Sequence, residues 1–182
     1  DAGGRDNVTA LVVSVEEDRA RLGANPVIGD ACAVAALRRC DLFAAFSPSE
    51  LVRVQQLAIA RSVEAGEELY RESETVGSLF VLIAGHITVW REGQRIGEME
   101  PGDPFGDLTL HGSRSSATAR ADVPTELLEF PLAGLDHLLK LDQALAFKLA
   151  SSALARLGRR LHTMVDVVAR YRRLFGDLSP EP

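Results

Sequence analysis

The feature that most constrains the fold of this sequence is the spacing of its apolar residues, which changes period twice. Up to about residue 61 apolar positions recur at helical intervals, between residues 61 and 131 they alternate in short segments, and beyond residue 132 the helical interval returns. Gly, Pro and Asp separate the alternating segments, as is typical of antiparallel strands joined by tight turns. The pattern predicts an α+β fold: an antiparallel, jelly-roll-like β roll of about eight strands, flanked by N-terminal helices and a long C-terminal helix.

Two helices are predicted before the roll. The first covers residues 31–40. The second begins after Ser47, a good N-cap residue, with Pro48 at the first helical position and Glu50 at the third. The strand segments that follow are residues 68–71, 79–84, 86–91, 95–99, 117–121 and 127–130.

The C-terminal region is predicted to be helical. A short helix is expected over residues 133–139, and Asp142 is placed to cap a longer one. Along this longer helix, steps of three and four residues alternate between apolar positions, a period of about 3.5 that is typical of coiled coils. Such a stripe packs either on the roll of its own chain or on a second copy, and the length of the helix favours a homodimer. The apolar stripe consists of Phe147, Ala150, Leu154, Leu157, Leu161, Met164, Val168, Tyr171 and Phe175.

Charge and composition argue against several classes of function. The net charge of the 182-residue chain is −6. Residues 1–147 hold 13 basic and 23 acidic residues, a net charge of −10 that argues against general nucleic-acid binding, whereas residues 148–174 carry +6 and read as a solvated helix face. No apolar run approaches the roughly 20 residues of a membrane-spanning helix. Cys32 and Cys40 have neither metal-ligand nor disulfide spacing and are interpreted as reduced thiols, which are typical of the cytoplasm. We therefore expect a cytoplasmic protein, and the apolar pattern predicts no membrane partner.

Between residues 79 and 118 several short motifs occur in a characteristic order. Gly85 is followed by Pro101-Gly102-Asp103, then by Phe105-Gly106-Asp107, and finally by Ala117-Thr118. In this order the motifs resemble the cyclic nucleotide-binding domain of catabolite activator proteins, protein kinase A regulatory subunits and cyclic-nucleotide-gated channels. The resemblance extends over residues 38–165 and implies a regulatory domain that senses cyclic AMP or cyclic GMP.

The resemblance also implies a site for one cyclic nucleotide. In the family, a short helix beginning at the position of Gly106 directs backbone N–H groups at the phosphate, and an arginine makes a charge-assisted contact with it. Asp107 stands where the family has a glutamate that accepts a hydrogen bond from the ribose 2′-hydroxyl. Arg114 is assigned to the phosphate. The implied ligand-binding set is Gly106, Asp107, Leu108, Arg114, Ser115 and Ser116, and no residue is assigned a catalytic role.

Two departures from the family pattern bear on this site. Asp107 is one methylene shorter than the usual glutamate. The loop is also one residue shorter, so the arginine position of the family falls on Ser115 and Arg114 must take its role. A shift by one residue reverses the facing of a strand residue, although a loop or bulge can absorb it. The alternative interpretation is a degenerate copy of the fold that binds no nucleotide and serves dimerisation or docking.

The N-terminal segment carries a second resemblance. Residues 3–15, in which Asp6 and Asn7 precede a β-branched run, are similar to the closing motif of the metal-dependent Ser/Thr protein phosphatases of the 2C type. In that family the aspartate is a ligand of Mg²⁺ or Mn²⁺, so Asp6 is the implied metal ligand in a full-length parent. The other carboxylates of such a site would lie upstream, and we therefore expect neither an assembled metal site nor phosphatase activity from this sequence.

Together the two resemblances predict four segments. Residues 1–18 end a phosphatase domain, residues 19–30 form a linker, residues 31–175 form the cyclic nucleotide-binding domain with its C-terminal helix, and residues 176–182 are a tail. Because the sequence opens at Asp1, we expect a longer parent protein. The predicted function is a nucleotide sensor that regulates the attached bacterial phosphatase through different affinities for two conformational states.

Overall fold

The computed structural model describes residues 30–106 and 114–175. The phosphatase-like segment 1–18, the linker up to residue 29 and the tail 176–182 lie outside the described residues. The predictions for these segments, including the metal-ligand role of Asp6, therefore stay predictions.

The helices agree closely with the predicted periodicity. Ser47 caps the second helix through a capping box: its Oγ accepts from the Glu50 backbone N–H at 3.3 Å, and a Glu50 carboxylate oxygen accepts from the Ser47 N–H at 2.7 Å. Asp142 caps the last helix, because its carboxylate accepts from the Leu145 N–H at 3.0 Å. The α-helices are α1 (Asp30–Arg39), α2 (Pro48–Gln55), α3 (Leu132–Leu141) and α4 (Gln143–Phe175), and a 3-10 helix spans Asp41–Phe43.

Eight strands within the described residues form two four-stranded sheets, and this confirms the predicted α+β roll. The first sheet has the order β1-β8-β3-β6 and the second the order β2-β7-β4-β5, with every pair antiparallel. The strands are β1 (Ile59–Val63), β2 (Glu68–Tyr70), β3 (Ser78–Ala84), β4 (Ile87–Arg91), β5 (Gln94–Met99), β6 (Pro104–Gly106), β7 (Thr118–Ala121) and β8 (Thr125–Pro131).

Strand β3 is buried on both of its faces. Residues 78–83 are all buried, and only Ala84 is exposed. One face of β3 contributes Leu79, Val81 and Ile83 to a core shared with the helices. The other face contributes Phe80 and Leu82 to a second core between the two sheets. Because both faces are covered, apolar residues occupy successive positions rather than alternate ones.

Strands β1 and β6 have no counterpart among the predicted strand segments, and β6 is the one that bears on the site. It comprises three residues, too few to show a period, and it directly follows a turn in which the Asp103 N–H donates to the Glu100 carbonyl at 2.9 Å. Its partner is β3, with Leu79 opposite Gly106 and Val81 opposite Pro104. This pairing holds Gly106 against the centre of the roll.

Helix α4 contributes buried apolar side chains only near its N-terminal end, within the residues described. Leu145 and Leu149 are buried in the core shared with the helices. The apolar stripe, by contrast, is exposed from Phe147 to Tyr171, with Leu154 at 71% and Leu161 at 54%, while the side chain of Phe175 lies outside the described residues. The stripe therefore does not pack on the roll of its own chain.

Gly85 lies so close to the start of β8 that an added side chain would overlap it. Its φ is +97°, and an added Cβ would collide with Thr125 Oγ1 and lie 2.9 Å from the Pro124 carbonyl oxygen. Gly93 also has a positive φ, +75°, but no atom lies within 4 Å of an added Cβ. A side chain at Gly93 would therefore have the strain of a positive φ alone, whereas a side chain at Gly85 would have this strain and steric overlap as well.

We expect Gly85→Ala to lower the free energy of unfolding by about 2–4 kcal/mol, since backbone strain and overpacking add. Gly93→Ala, which has the strain alone, should lower it by about 1 kcal/mol. Urea unfolding followed by circular dichroism measures both values. Equal destabilisation of the two variants would contradict the close approach of Gly85 to β8.

Candidate functional site

A cavity of about 610 Å³ lies between the β roll and α4. Residues of β2, β4, β5 and β6 form its walls on the roll, together with the segment leading into β7. Its apolar lining includes Val76, Val89, Met99 and Phe105. The described polar and charged side chains that line it are Tyr70, Arg91, Arg114, Ser115, Ser116, Arg160 and Thr163.

Gly106 lies at the lip of this cavity in a conformation that requires glycine. Its φ is +89°, and a Cβ would lie 2.7 Å from the Ser78 carbonyl oxygen and 2.8 Å from the Phe80 ring. The backbone therefore approaches β3 more closely than any side chain would allow. This contact fixes the point at which the chain leaves β6 and enters the loop that the resemblance assigns to the phosphate.

Tyr70 lies beside Gly106 with its ring in the core between the sheets. The ring stacks on Phe80 at a centroid distance of 6.2 Å, and Phe80 in turn stacks on Phe105 at 5.3 Å. Burial raises the pKa of Tyr70 to about 12, although a hydrogen bond with the Gly106 backbone and the positive charge of Arg160 favour the phenolate. The hydroxyl is therefore protonated at neutral pH.

Arg114 and Ser115 are held by backbone hydrogen bonds to the segment after β2. Arg114 forms an antiparallel bridge with Thr75. The Ser115 N–H donates to the Glu74 carbonyl and the Ser115 carbonyl accepts from the Ser73 N–H, both at 2.8 Å. The Arg114 side chain is exposed and has no ion-pair partner among the described residues, so its guanidinium is available to an anion.

The two serines differ in what they can offer a ligand. The Ser115 hydroxyl donates to the Ala117 carbonyl at 2.6 Å, and its N–H is already bonded to Glu74. Both donors of Ser115 are thus engaged within the protein. Ser116 is exposed at the cavity and has no hydrogen-bond partner within the described part of the chain.

Four of the six predicted ligand-binding residues line this one cavity: Gly106, Arg114, Ser115 and Ser116. Asp107 and Leu108 lie outside the described residues. The structure thus brings Gly106 at the end of β6 together with the segment that precedes β7. Their convergence follows from the pairing of β6 with β3 and of Arg114 with Thr75.

Three residues of α4 complete the lining and were not predicted: Arg160, Thr163 and Met164. On a helix, positions i, i+3 and i+4 share a face, so the three belong together geometrically. The sequence shows that face, but it does not show which part of the roll the face meets. Only the position of α4 over the cavity identifies these residues.

The cavity is electropositive. Arg91, Arg114 and Arg160 line it, and no carboxylate does so among the described residues. The positive charge of Arg91 is weakly compensated by Glu72, which does not line the cavity: the Arg91 Nε lies 3.8 Å from a Glu72 carboxylate oxygen. A site with this lining favours an anionic ligand with an apolar portion.

Ion pairs to the N-terminal helices hold α4 over the cavity. Asp41 accepts from Arg156 at 2.8 Å and from Arg159 at 2.6 Å. Arg156 also donates to the Pro104 carbonyl at 3.4 Å, at the start of β6. One turn from the beginning of α4, Lys148 pairs with Glu50 at 2.7 Å, and this hydrogen bond holds the pKa of the Glu50 carboxyl below its usual value.

No group of three His, Cys, Asp or Glu side chains within residues 30–106 and 114–175 has a metal-binding arrangement. Across the same residues, no helix combines the length and the apolar character needed to span a bilayer.

The comparisons with known proteins agree with this geometry. Residues 60–142 match the family model of the cyclic nucleotide-binding domain. The matched region runs from β1 to the end of α3, and the solved structures described next share the fold of this region.

Among solved structures, a cyclic nucleotide-binding domain from Methylobacillus flagellatus KT has a TM-score of 0.69 at 20% identity and covers 82% of this chain and 86% of its own. The regulatory domain of Toxoplasma gondii PKA, crystallised with cAMP, has a TM-score of 0.55 at 22% identity and covers 59% and 43%. At these identities the two structures support the fold alone.

One curated relative is a protein named Glutaminase 2 from Bradyrhizobium diazoefficiens, 30% identical over 134 residues. The aligned region is 71% of this chain but only 22% of that relative. A second, named as a potassium channel protein of Rhodopseudomonas palustris, is 28% identical over 129 residues, which are 31% of its length. This chain thus spans less than a third of either relative.

The Asp41 contacts generate a test of how α4 is held. Asp41→Ala would leave Arg156, whose side chain is only 14% exposed, without its carboxylate partner. We expect a loss of about 1–3 kcal/mol in the free energy of unfolding, since a partly buried charge then lacks compensation. Urea unfolding measures it.

The matched control is Asp136→Ala, which removes an exposed i,i+4 pair with Lys140 on α3. Its effect should stay within about 0.5 kcal/mol. An equally small loss of unfolding free energy in Asp41→Ala and Asp136→Ala would show that the Asp41 ion pairs do not hold α4.

Proposed function

We propose that this domain binds one cyclic nucleotide, cyclic AMP or cyclic GMP, in the cavity between the roll and α4. The observation that carries the proposal is that Gly106, Arg114, Ser115 and Ser116 line one electropositive cavity. Its size is within the range of about 300–1,000 Å³ that is usual for small-molecule sites. The matched family and the fold support the same ligand class.

In this proposal each end of the ligand has a different partner. Arg114 contacts the phosphate through a charge-assisted hydrogen bond, with Ser116 as a neighbouring donor. Backbone N–H groups of the segment beginning at Gly106, including Leu108, complete the phosphate contact. The ribose hydroxyl is assigned to Asp107, because this residue stands where the family has the glutamate that accepts from the 2′-hydroxyl.

Replacing Arg114 tests the assignment. Arg114→Ala should weaken binding of both nucleotides about ten- to a hundredfold, since a charge-assisted contact to the phosphate is lost. Isothermal titration calorimetry of wild type and variant under the same conditions measures it. Arg95→Ala is the control, because Arg95 is an exposed arginine of β5 that does not line the cavity.

Unchanged affinity in Arg114→Ala would reject the role of Arg114. Absence of wild-type binding at millimolar nucleotide would favour the second candidate, a degenerate domain that serves dimerisation or docking. The observation that favours this candidate is the engagement of both Ser115 donors within the protein.

We further propose that the domain regulates an attached protein phosphatase of the 2C type in the cytoplasm. The support is the resemblance of residues 3–15, with Asp6 as a Mg²⁺ or Mn²⁺ ligand in the parent, and the regulatory fold of the domain that follows. Nucleotide binding would bias α4, which lines the cavity and contacts the N-terminal helices. The proposed partners are the nucleotide and the phosphatase domain, not nucleic acid or a membrane.

Homodimerisation through α4 is proposed as well. The stripe from Phe147 to Val168 is exposed rather than packed on its own roll, and the 33-residue helix is about 50 Å long. The same helix of a second copy provides a complementary apolar surface with the 3.5-residue period. The many arginines of α4 would oppose the dimer, and salt should screen this repulsion.

We expect sedimentation velocity at tens of micromolar to show a dimer that becomes tighter as salt is raised. Leu157→Glu combined with Leu161→Glu should give a monomer, because it places charges in the apolar stripe. Val52→Glu combined with Ile59→Glu is the control, since both residues are exposed apolar residues outside α4, on α2 and β1. A monomeric wild type at both low and high salt would refute the dimer.

A further inference from the structure

Arg160 is the one arginine of the cavity that neither the sequence motifs nor a described ion pair accounts for. Arg114 is assigned to the phosphate, and Arg91 has Glu72 near it. Arg160 lines the same cavity from α4, is exposed, and forms no salt bridge with the described residues. Its neighbours Arg156 and Arg159 both pair with Asp41, so Arg160 is the member of this basic group that is left facing the cavity.

The lining of the cavity places Arg160 beside the residues assigned to the phosphate. Arg160, Arg114 and Gly106 line the same cavity, and Gly106 begins the segment assigned to the phosphate. The positive charge of Arg160 also favours the phenolate form of Tyr70, which lines the cavity as well. Arg160 thus reaches the candidate phosphate site from a different element than Arg114.

The chemistry of the side chain agrees with this placement. A guanidinium has five N–H donors and no acceptor, and it stays charged at every accessible pH, so an anion is its natural partner. No described carboxylate lines the cavity to neutralise it. A bound phosphate monoanion or diester would supply the missing negative charge.

We propose that Arg160 is a second phosphate contact, so that the anion of the ligand is held between Arg114 of the roll and Arg160 of α4. This inference rests on the proposed function and extends it, because it makes α4 part of the anion site. The ligand would then attach α4 to the roll at a second point, one helical turn beyond the Arg156–Asp41 pair.

The test is calorimetric titration of Arg160→Gln with cyclic AMP and with cyclic GMP. Both nucleotides should bind about three- to thirtyfold more weakly, by the same factor, because the contact is to the group they share. The control is Arg170→Gln, which removes an equal charge from α4 at a residue that does not line the cavity. Melting without nucleotide should be unchanged in Arg160→Gln, since no described ion pair is lost.

Two further readouts separate a phosphate contact from a structural effect. The dependence of the logarithm of affinity on the logarithm of salt concentration should be shallower in Arg160→Gln than in wild type. In a double-mutant cycle, Arg114→Ala and Arg160→Gln should be non-additive, because both act on one phosphate. Arg160→Lys should retain part of the affinity, because the charge remains.

The outcomes that overturn the inference differ from one that overturns the proposed function. Unchanged affinity, a loss confined to one nucleotide, or an equal loss in Arg170→Gln would each remove Arg160 from the phosphate, while nucleotide binding itself would stand. A wild type that binds neither nucleotide would refute both the proposed function and this inference.

Discussion

Burial of β3 on both faces is the constraint on which the rest of the domain depends. Its helix-facing side chains hold α1, α2 and the start of α4, and its other face fills the space between the two sheets. The same strand pairs with β6 and leaves no room for a side chain at Gly106, where an added Cβ would lie 2.7 Å from the Ser78 carbonyl oxygen. The core strand therefore sets both where the helices lie and where the backbone enters the candidate phosphate segment.

Helix α4 combines three environments along one element. Its first turns are anchored by buried leucines, its middle faces the cavity with Arg160, and its apolar stripe is exposed. Since Asp41 holds two arginines of α4, displacement of the helix would break partly buried charge pairs. In the proposed function, a charged ligand beside α4 would change the balance of these electrostatic contacts and so bias the helix.

The charge of the cavity lining is opposite in sign to the net charge of the chain. The chain as a whole is acidic, with a net charge of −6, yet the described cavity lining carries three arginines and no carboxylate. An acidic surface repels anions in general, whereas a local positive cavity attracts a small one. This contrast suits a regulatory domain for a small anionic ligand better than it suits a nucleic-acid-binding surface.

The sequence by itself determined the order and type of nearly all elements, because apolar period, capping at Ser47 and Asp142, and the turn glycines act locally. It also identified Gly106 and Arg114 through a resemblance in motif order. It did not reveal β1, or β6, which is too short to have a period, or the engagement of the Ser115 donors. Only the tertiary structure decided that Arg160 lines the cavity and that, of the apolar stripe, Met164 does so while its other described residues stay exposed, because a helical pattern defines faces without saying what each face meets.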